Sequence, residues 1–331
     1  MSTGFIEFQD SKVVPIQDFS EPFQAEDSTS VKTNRLAYNI FSMIIFPIGL
    51  ARLVWRGIHK LIGKLVLPAQ WALAEDRYIR VRRRNLERDF NGKIVRFKTV
   101  DDVELEGMQF SASSKNAHTV ILFNGNGSCY EFSEKLISFY LKKKMNVFVF
   151  NYRGVLNSGG AVSCEGTHLD GDAAVQYVKN RLKTSEKDIL LHGHSLGGAI
   201  ATSVAEKYPR AVLINDRSFS SLQKEIGVFI GFGVIGKILG IVAAFFGWNY
   251  DPEKDFRKSE NPKIILTHEE DGMIKEEARI GECFESDAKT VKITMNKMDM
   301  HDVGMDAHNR SMRPHEFDQV FKAYARLSKI T

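Results

Sequence analysis

Short runs of apolar residues recur from residue 94 to residue 296. In stretches that separate these runs, apolar residues recur at the spacing of a helix. Runs of this length, bounded by Gly, Asn or Asp, predict buried strands. The predicted strands are 94–97, 103–108, 118–123, 145–152, 189–191, 211–215, 262–268 and 291–296. Apolar and polar residues alternate in the first two, which predicts a hairpin with its turn at Asp101 and Asp102.

Helical spacing fills the gaps between the later strands, at residues 131–142 and 168–183, after Ser195, and at 314–328. Strands that alternate with helices along a chain pair in parallel through right-handed crossovers. The pattern therefore predicts an α/β domain over residues 91–331, with a mostly parallel central sheet and helices on both of its faces.

The first ninety residues follow a different pattern. Residues 1–33 are polar and acid-leaning, which predicts a flexible leader. Residues 34–90 predict a helical extension, in which sixteen uncharged residues at 36–51 precede basic residues that recur every fourth position. The basic residues are Arg52, Arg56, Lys60 and Lys64, followed by Arg77, Arg80, Arg82, Arg83, Arg84 and Arg88. The uncharged stretch contains Pro47 and is shorter than the roughly 20 residues that span a bilayer. This extension is predicted either to lie in a membrane interface or to cover one face of the domain.

A second apolar segment, residues 226–248, has twenty-three residues with one charge, Lys237, and six glycines. Its length would suit a transmembrane helix, but it lies between two strands of one sheet. We expect a lid over a binding site, spanning about 223–250, and two buried core helices are the alternative. The residues predicted to contact an apolar ligand there are Phe229, Phe232, Ile235, Leu239 and Phe245.

Composition narrows the function classes. The chain has 331 residues and a net charge of +4, which is too small to indicate nucleic acid as the main partner. Three cysteines without paired spacing predict neither a zinc site nor a disulfide framework, and we expect free thiols in a reducing compartment. The first residues lack the basic-then-apolar pattern of a secretory signal. No metal or other cofactor is predicted.

The strongest chemical signal is the sequence Gly193-His194-Ser195-Leu196-Gly197, which stands between a short apolar strand and a helix rich in small residues. A serine in this context is typical of a nucleophile elbow. The helix directs its first amides at the serine, where they can stabilise an oxyanion. We expect the backbone amides of Leu196 and Asn126 to form this oxyanion hole, since Asn126 lies in a glycine-flanked turn after a central strand.

An acid and a base follow the serine along the chain. Asp271 comes just after the strand at 262–268, and two histidines, His301 and His308, follow the last strand. Ser, Asp and His in this order, each beyond the end of a strand, predict a catalytic triad. Either histidine could be the base, with a slight preference for His308, and Asp216 is a rival acid for which an ion pair with Arg217 is the expected alternative.

The segments NYRGVLNSGG, GHSLGG and HEEDGMI, in this order and ahead of a late histidine, resemble the α/β-hydrolase superfamily over residues 90–328. The chain is similar to the branch that contains monoacylglycerol lipases and protein depalmitoylases. The segment NDRSFSSL resembles more closely the chlamydial 43-kDa and Legionella SidB-type proteins, the latter being secreted effectors. That resemblance implies a bacterial effector delivered into a host cell. Asn124 departs from the histidine that the superfamily usually has in this turn.

The sequence therefore predicts a serine hydrolase that cleaves acyl esters of lipids or acylated proteins. The apolar lid and the basic helix predict a peripheral protein that works at a membrane surface. The alternative is a hydrolase fold without catalysis that serves as a binding platform for a membrane or a host protein.

Overall fold

The computed structural model describes residues 23–24, 48–67, 69, 76–112, 117–231, 233–302 and 306–330. Within these residues, nine strands form one sheet in the order β1-β2-β3-β5-β4-β6-β7-β8-β9. The strands are β1 (Phe23–Gln24), β2 (Lys93–Lys98), β3 (Glu104–Phe110), β4 (Thr119–Phe123), β5 (Asn146–Phe150), β6 (Ile189–His194), β7 (Val212–Asp216), β8 (Lys263–Thr267) and β9 (Thr290–Thr294). The α-helices are α1 (Ile48–Val66), α2 (Arg77–Phe90), α3 (Glu134–Lys142), α4 (Cys164–Gln176), α5 (Leu196–Ala205), α6 (Leu222–Phe229), α7 (Gly233–Phe245), α8 (Pro252–Lys258) and α9 (Pro314–Leu327).

The strands from β4 to β9 pair in parallel, while the hairpin of β2 and β3 joins them through an antiparallel pairing of β3 with β5. The residues of β4, β5, β6 and β7 are almost all buried, because helices cover both faces of a parallel sheet. The carboxyl ends of β6, β7 and β8 therefore meet at one edge of the sheet, which is where ligands bind in open α/β folds.

The N-terminal helices pack on this sheet. Leu67 and Ile79 belong to the apolar core on one face, and Leu86 belongs to the core on the other face. Trp248 also holds helix α1 in place, because its indole N–H donates to the carbonyl of His59 in that helix at 3.1 Å. Most of the predicted leader, residues 1–33, lies outside the described residues, but Phe23–Gln24 pairs in parallel with β2.

The apolar segment 226–248 contains the second half of α6 and all of α7, which pack antiparallel as a helical hairpin. A Cβ atom at Gly236 would lie 2.5 Å from the carbonyl oxygen of Gly227, and one at Gly240 would lie 2.8 Å from that of Gln223. Glycine at these positions lets the two backbones touch. Because much of α7 is exposed, the alternative of two buried core helices is wrong. None of the helices in the described ranges combines the length and the apolarity that a membrane crossing needs.

Two predicted helices have different limits in the structure. The helix predicted at 168–183 begins at Cys164, because the Ser163 side chain accepts the amide of Gly166 and caps it, and it ends in a π-helical turn at Tyr177–Arg181. The helix predicted at 131–142 is preceded by a separate 3-10 turn at Tyr130–Phe132.

Candidate active site

Ser195 stands on a sharp turn between β6 and α5. Its backbone has φ 55° and ψ −123°, a region that is costly for a residue with a side chain. The turn is this tight because glycines flank it: a Cβ atom at Gly193 would lie 2.1 Å from the carbonyl oxygen of Gly197, and one at Gly197 would lie 2.2 Å from that of Phe123. The strained backbone holds the hydroxyl of Ser195 at the edge of the sheet.

The structure brings three of the predicted residues together at this edge. Nε2 of His308 lies 2.9 Å from Oγ of Ser195, and Nδ1 of His308 lies 2.8 Å from Oδ2 of Asp271. All three residues are buried. The imidazole can therefore accept the serine proton at Nε2 while it donates its Nδ1 proton to the carboxylate.

Asp271 is held in place by its own turn. Its Oδ1 accepts the backbone amides of Met273 and Ile274, both at 2.9 Å. Burial alone would raise the pKa of Asp271, but the hydrogen bonds from His308 and the two amides hold this pKa below its ordinary value. The carboxylate therefore stays charged and orients the imidazole through the hydrogen bond to Nδ1.

The loop that carries His308 is fixed by charged and polar partners that were not assigned from the sequence. Arg217 donates Nη1 to the carbonyls of Ala307 and Arg310, at 3.2 and 2.8 Å. His194 donates Nε2 to the carbonyl of His308 itself at 2.9 Å. Burial, with Arg217 nearby, lowers the pKa of His194 to about 3, so this ring is neutral. These contacts set the position of the His308 backbone from two sides.

Arg310 also holds the loop that carries His308 in place. Its fully buried guanidinium donates to both carboxylate oxygens of Glu316, at 2.9 and 2.6 Å, and to the carbonyl of Asn296 at 2.8 Å. Burial alone would raise the pKa of Glu316, but the hydrogen bonds from Arg310 lower it to about 2. In the sequence, the only sign of this ion pair is that Arg310 and Glu316 stand six residues apart, across the start of α9. An ion pair on the protein surface could have the same spacing.

The remaining acid and base candidates take no part in these contacts with His308. The Asp216 carboxylate accepts two hydrogen bonds from the Arg217 guanidinium, at 2.7 and 3.0 Å. This is the ion pair that the sequence analysis gave as the alternative to a catalytic role for Asp216. His301 lies in a 3-10 turn, Met300–Asp302, and its side chain is outside the described part of the structure.

The two predicted oxyanion-hole residues flank the serine. Leu196 is the first residue of α5, so its amide belongs to the helix end that faces Ser195. The turn that contains Asn126 runs beside the serine, because a Cβ atom at Gly125 would lie 3.3 Å from Cβ of Ser195. Asn124 anchors this turn by donating its side-chain amide to the carbonyl of Phe150 at 2.9 Å.

A cavity of about 840 Å³ opens at Ser195 and His308. Of the five predicted lid contacts, Phe229 and Leu239 line it, whereas Ile235 and Phe245 do not, because they point away from it on the exposed side of α7. Phe232 lies outside the described residues. The cavity wall also includes residues that sequence reasoning missed, from α1 and from the hairpin: Ile62, Leu65, Val66, Glu225, Ile226, Ile230, Val242 and Ala243.

Glu225 is the unexpected polar group of this wall. Its Oε2 atom is buried and has no hydrogen-bond partner among the described residues. Burial, with Asp271 nearby, raises the pKa of Glu225 to about 7. No group of three or more His, Cys, Asp or Glu side chains in the described ranges could hold a metal ion.

Comparison with known proteins places the chain in a family. The family model described as Chlamydia CHLPS protein (DUF818) matches residues 39–325. An uncharacterized membrane protein of Saccharomyces cerevisiae is 31% identical over 130 residues, which cover 39% of this chain and 46% of the yeast protein. Protein bem46 of Schizosaccharomyces pombe is 27% identical over 186 residues, which cover 54% of this chain and 60% of that protein. The chain thus spans about half of the length of these two relatives.

The fold is similar to that of the Pyrococcus furiosus esterase Pf2001, with 22% sequence identity and a TM-score of 0.57 over 74% of this chain and 95% of the esterase. Identity at this level shows a shared fold, and function has to be argued from the site. The predicted α/β-hydrolase fold, with a mostly parallel sheet and helices on both faces, is confirmed. Because the family model covers most of the sequence, the chain belongs to the Chlamydia CHLPS protein (DUF818) family of the α/β-hydrolase superfamily.

Proposed function

We propose that this protein is a serine hydrolase that cleaves acyl esters or thioesters with long apolar acyl chains. The observation that carries the proposal is the pair of contacts at His308, 2.9 Å to the Ser195 hydroxyl and 2.8 Å to the Asp271 carboxylate. A hydroxyl, an imidazole and a carboxylate in this arrangement suit nucleophilic attack on a carbonyl carbon.

In the proposed reaction, Oγ of Ser195 forms a bond to the acyl carbon while its proton moves to Nε2 of His308. The carbonyl oxygen becomes an oxyanion, which the amides of Leu196 and Asn126 stabilise. The bond from the acyl carbon to the leaving alcohol or thiol then breaks, and His308 returns the proton to the leaving group. Water repeats the sequence on the acyl-enzyme and frees the carboxylic acid, with Asp271 stabilising the imidazolium in both halves.

The cavity supports a long acyl chain as the substrate group. The cavity wall as a whole is mainly apolar, with side chains from α1, α6 and α7. An acyl chain gains roughly 0.8 kcal/mol for each methylene that it buries. Action on lipids or acylated proteins at a membrane belongs to this proposal. Delivery into a host cell, which the resemblance to secreted effectors implies, stays a prediction.

The test is the hydrolysis of p-nitrophenyl esters from acetate to palmitate. We expect kcat/KM to rise with chain length over the medium chains, and Ser195→Ala to lose at least about 10³-fold in kcat on every ester. Ser218→Ala is the matched control, because Ser218 is a buried serine next to the elbow whose hydroxyl has no hydrogen-bond partner among the described residues. A preference for acetate would contradict the acyl pocket, and activity retained in Ser195→Ala would contradict the mechanism.

A further inference from the structure

The outer face of α7 is unusual for a helix on a protein surface. Val234, Ile238, Ile241 and Phe245 follow each other at helical spacing and are 72%, 53%, 61% and 70% exposed. The opposite face of α7 is buried against α6. A helix on the surface of a protein normally places charged or polar side chains on its outer face, so this stripe indicates an environment other than water.

Helix α1 extends the same apolar area. Leu50, Val54, Leu61 and Leu65 form an exposed stripe on α1. Trp55 joins the two helices, because its ring centroid lies 5.4 Å from that of Phe245 and 4.7 Å from that of Phe246. We refer to the exposed apolar residues of α1 and α7, together with Trp55, as the α1–α7 surface. Single exposed apolar side chains are common on protein surfaces. A contiguous apolar area that extends over two helices instead indicates an interaction site.

The charged side chains of the two helices that form this surface are all basic. Arg52, Arg56, Lys60 and Lys64 recur every fourth residue, so they lie along one stripe of α1, and α7 carries Lys237. Neither helix contains an aspartate or a glutamate. Basic side chains beside an exposed apolar stripe are typical of helices that lie in the interface of an anionic membrane. A second copy of this chain would bring the same positive charges against them, which disfavours a dimer on this surface.

The α1–α7 surface is continuous with the cavity. Leu65 is 69% exposed and also lines the cavity wall, together with Ile62 and Val66 of the same helix. From the other side, α7 contributes Leu239 and Val242 to the wall. An acyl chain could therefore pass from an apolar environment outside the protein into the cavity along apolar side chains.

We propose that the α1–α7 surface docks on a bilayer that contains anionic phospholipid, and that the cavity receives the acyl chain of its substrate directly from that bilayer. The docking depends only on the surface, whereas the delivery of a substrate rests on the proposed hydrolase function.

Vesicle flotation of the full chain tests the docking. We expect the protein to float with phosphatidylcholine vesicles that contain phosphatidylserine, and to float less with phosphatidylcholine alone or at high salt. The variant Val54→Asp/Ile241→Asp should lose at least about tenfold in vesicle binding. Ile94→Asp is the control, because Ile94 is exposed on β2, outside the surface. Neither substituted residue of the double variant lines the cavity, so hydrolysis of a soluble short-chain ester should be unchanged.

Quenching of Trp55 by brominated lipids is a second readout, made in a Trp71→Phe background so that only Trp55 and Trp248 remain. We expect quenching of the fluorescence that is lost when Trp55→Phe is added, since Trp248 is fully buried. Absence of wild-type flotation and of Trp55 quenching would overturn the docking, and would indicate that the chain's own residues 25–47 or a second copy cover the surface. Flotation of Val54→Asp/Ile241→Asp equal to that of the wild type would also overturn the docking. A protein that hydrolyses soluble esters but does not bind vesicles would leave the proposed function intact.

Discussion

Asp216 ends β7 and Asp271 follows the end of the neighbouring strand β8, so both lie at the same edge of the sheet, and their partners distinguish them. The Asp271 carboxylate contacts His308, whereas the Asp216 carboxylate is paired with Arg217. We therefore expect Asp271→Asn to lower kcat by about 10⁴-fold with little change in KM, because an amide favours the wrong imidazole tautomer. Steady-state kinetics on a medium-chain ester measures this, with the exposed neighbour Glu269→Gln as the control.

Steady-state kinetics on the same ester also tests Asp216, the alternative candidate for the catalytic acid. Asp216→Asn should mainly lower stability, by about 3–5 kcal/mol, because it leaves the buried Arg217 without its partner. If folded Asp216→Asn lost as much kcat as Asp271→Asn, Asp216 would be the acid and the assignment of Asp271 would be wrong.

Glu225 gives the protein a pH-dependent stability. Its pKa of about 7 lies above the ordinary carboxyl value of 4.5, with Asp271 and Lys275 as the charged groups that act on it. Between these two values the folded protein holds a proton that the unfolded chain has lost, so stability falls as pH rises through this window.

In Glu225→Gln, a neutral amide replaces the carboxyl group and stays uncharged over this pH range. We expect this variant to be more stable than the wild type at pH 8 by roughly 1–3 kcal/mol, and equally stable below pH 4.5. Urea unfolding at the two pH values measures the difference, and the exposed Glu277→Gln serves as the control. A gain at pH 8 that matched the control would show that the Glu225 carboxyl is not buried as described.

The sequence was informative about some residues of the site and silent about others. Ser195 follows β6 directly and Asp271 comes a few residues after β8, so strand prediction placed both at the edge of the sheet. His301 and His308 follow the last strand within one long loop, whose path depends on distant partners. Arg217 and Arg310 set that path through carbonyl contacts, which have no local sequence signal.

Among the elements, the contact of α6 with α7 depends on Gly240. A valine there would meet the backbone of Gln223, which lies 2.8 Å from the position of a Cβ atom. We expect Gly240→Val to move α7 away from α6 at a cost of about 1–3 kcal/mol. It should lower kcat/KM several-fold for long esters and leave acetate hydrolysis within about twofold. Gly57→Ala is the control, since a Cβ atom there meets nothing within 4 Å. An equal loss on all esters would mean that the hairpin does not contribute to the acyl pocket.

Helix α1 should also affect substrate selection, although it precedes the sheet domain in the sequence. Val66 lines the cavity, whereas Leu61 on the same helix is exposed and does not. Val66→Trp should fill part of the cavity and shorten the preferred acyl chain, while Leu61→Trp should leave the preference unchanged. The ester series measures both variants, and an unchanged optimum in Val66→Trp would contradict the placement of α1 at the cavity.

The elements themselves were predicted with uneven success. Apolar runs marked the strands from β4 to β8, because strands buried on both faces need continuous apolar sequence, whereas alternation marked β2 and β3. The start of α4 was missed, since its cap at Ser163 precedes the apolar residues by several positions. For α6 and α7, apolarity alone did not distinguish a buried helix from one that exposes an apolar face.

At the scale of the whole molecule, the fold class followed from the alternation of strands and helices, and the position of α1 did not. The contacts of α1 with Trp248 join residues that are far apart in the chain, and no local pattern encodes them. The result is a molecule in which one surface, formed by α1 and α7, leads through an apolar cavity to the contacts among Ser195, His308 and Asp271. The central claim is that this serine is a nucleophile.

Reaction of the intact protein with a fluorophosphonate, followed by peptide mass spectrometry, tests that claim most directly. The account predicts one covalent adduct, on Ser195, formed at a rate that falls by at least about 10³-fold in His308→Ala and with no adduct in Ser195→Ala. A folded wild-type protein that forms no adduct while a control esterase reacts, or an adduct on another residue, would contradict it.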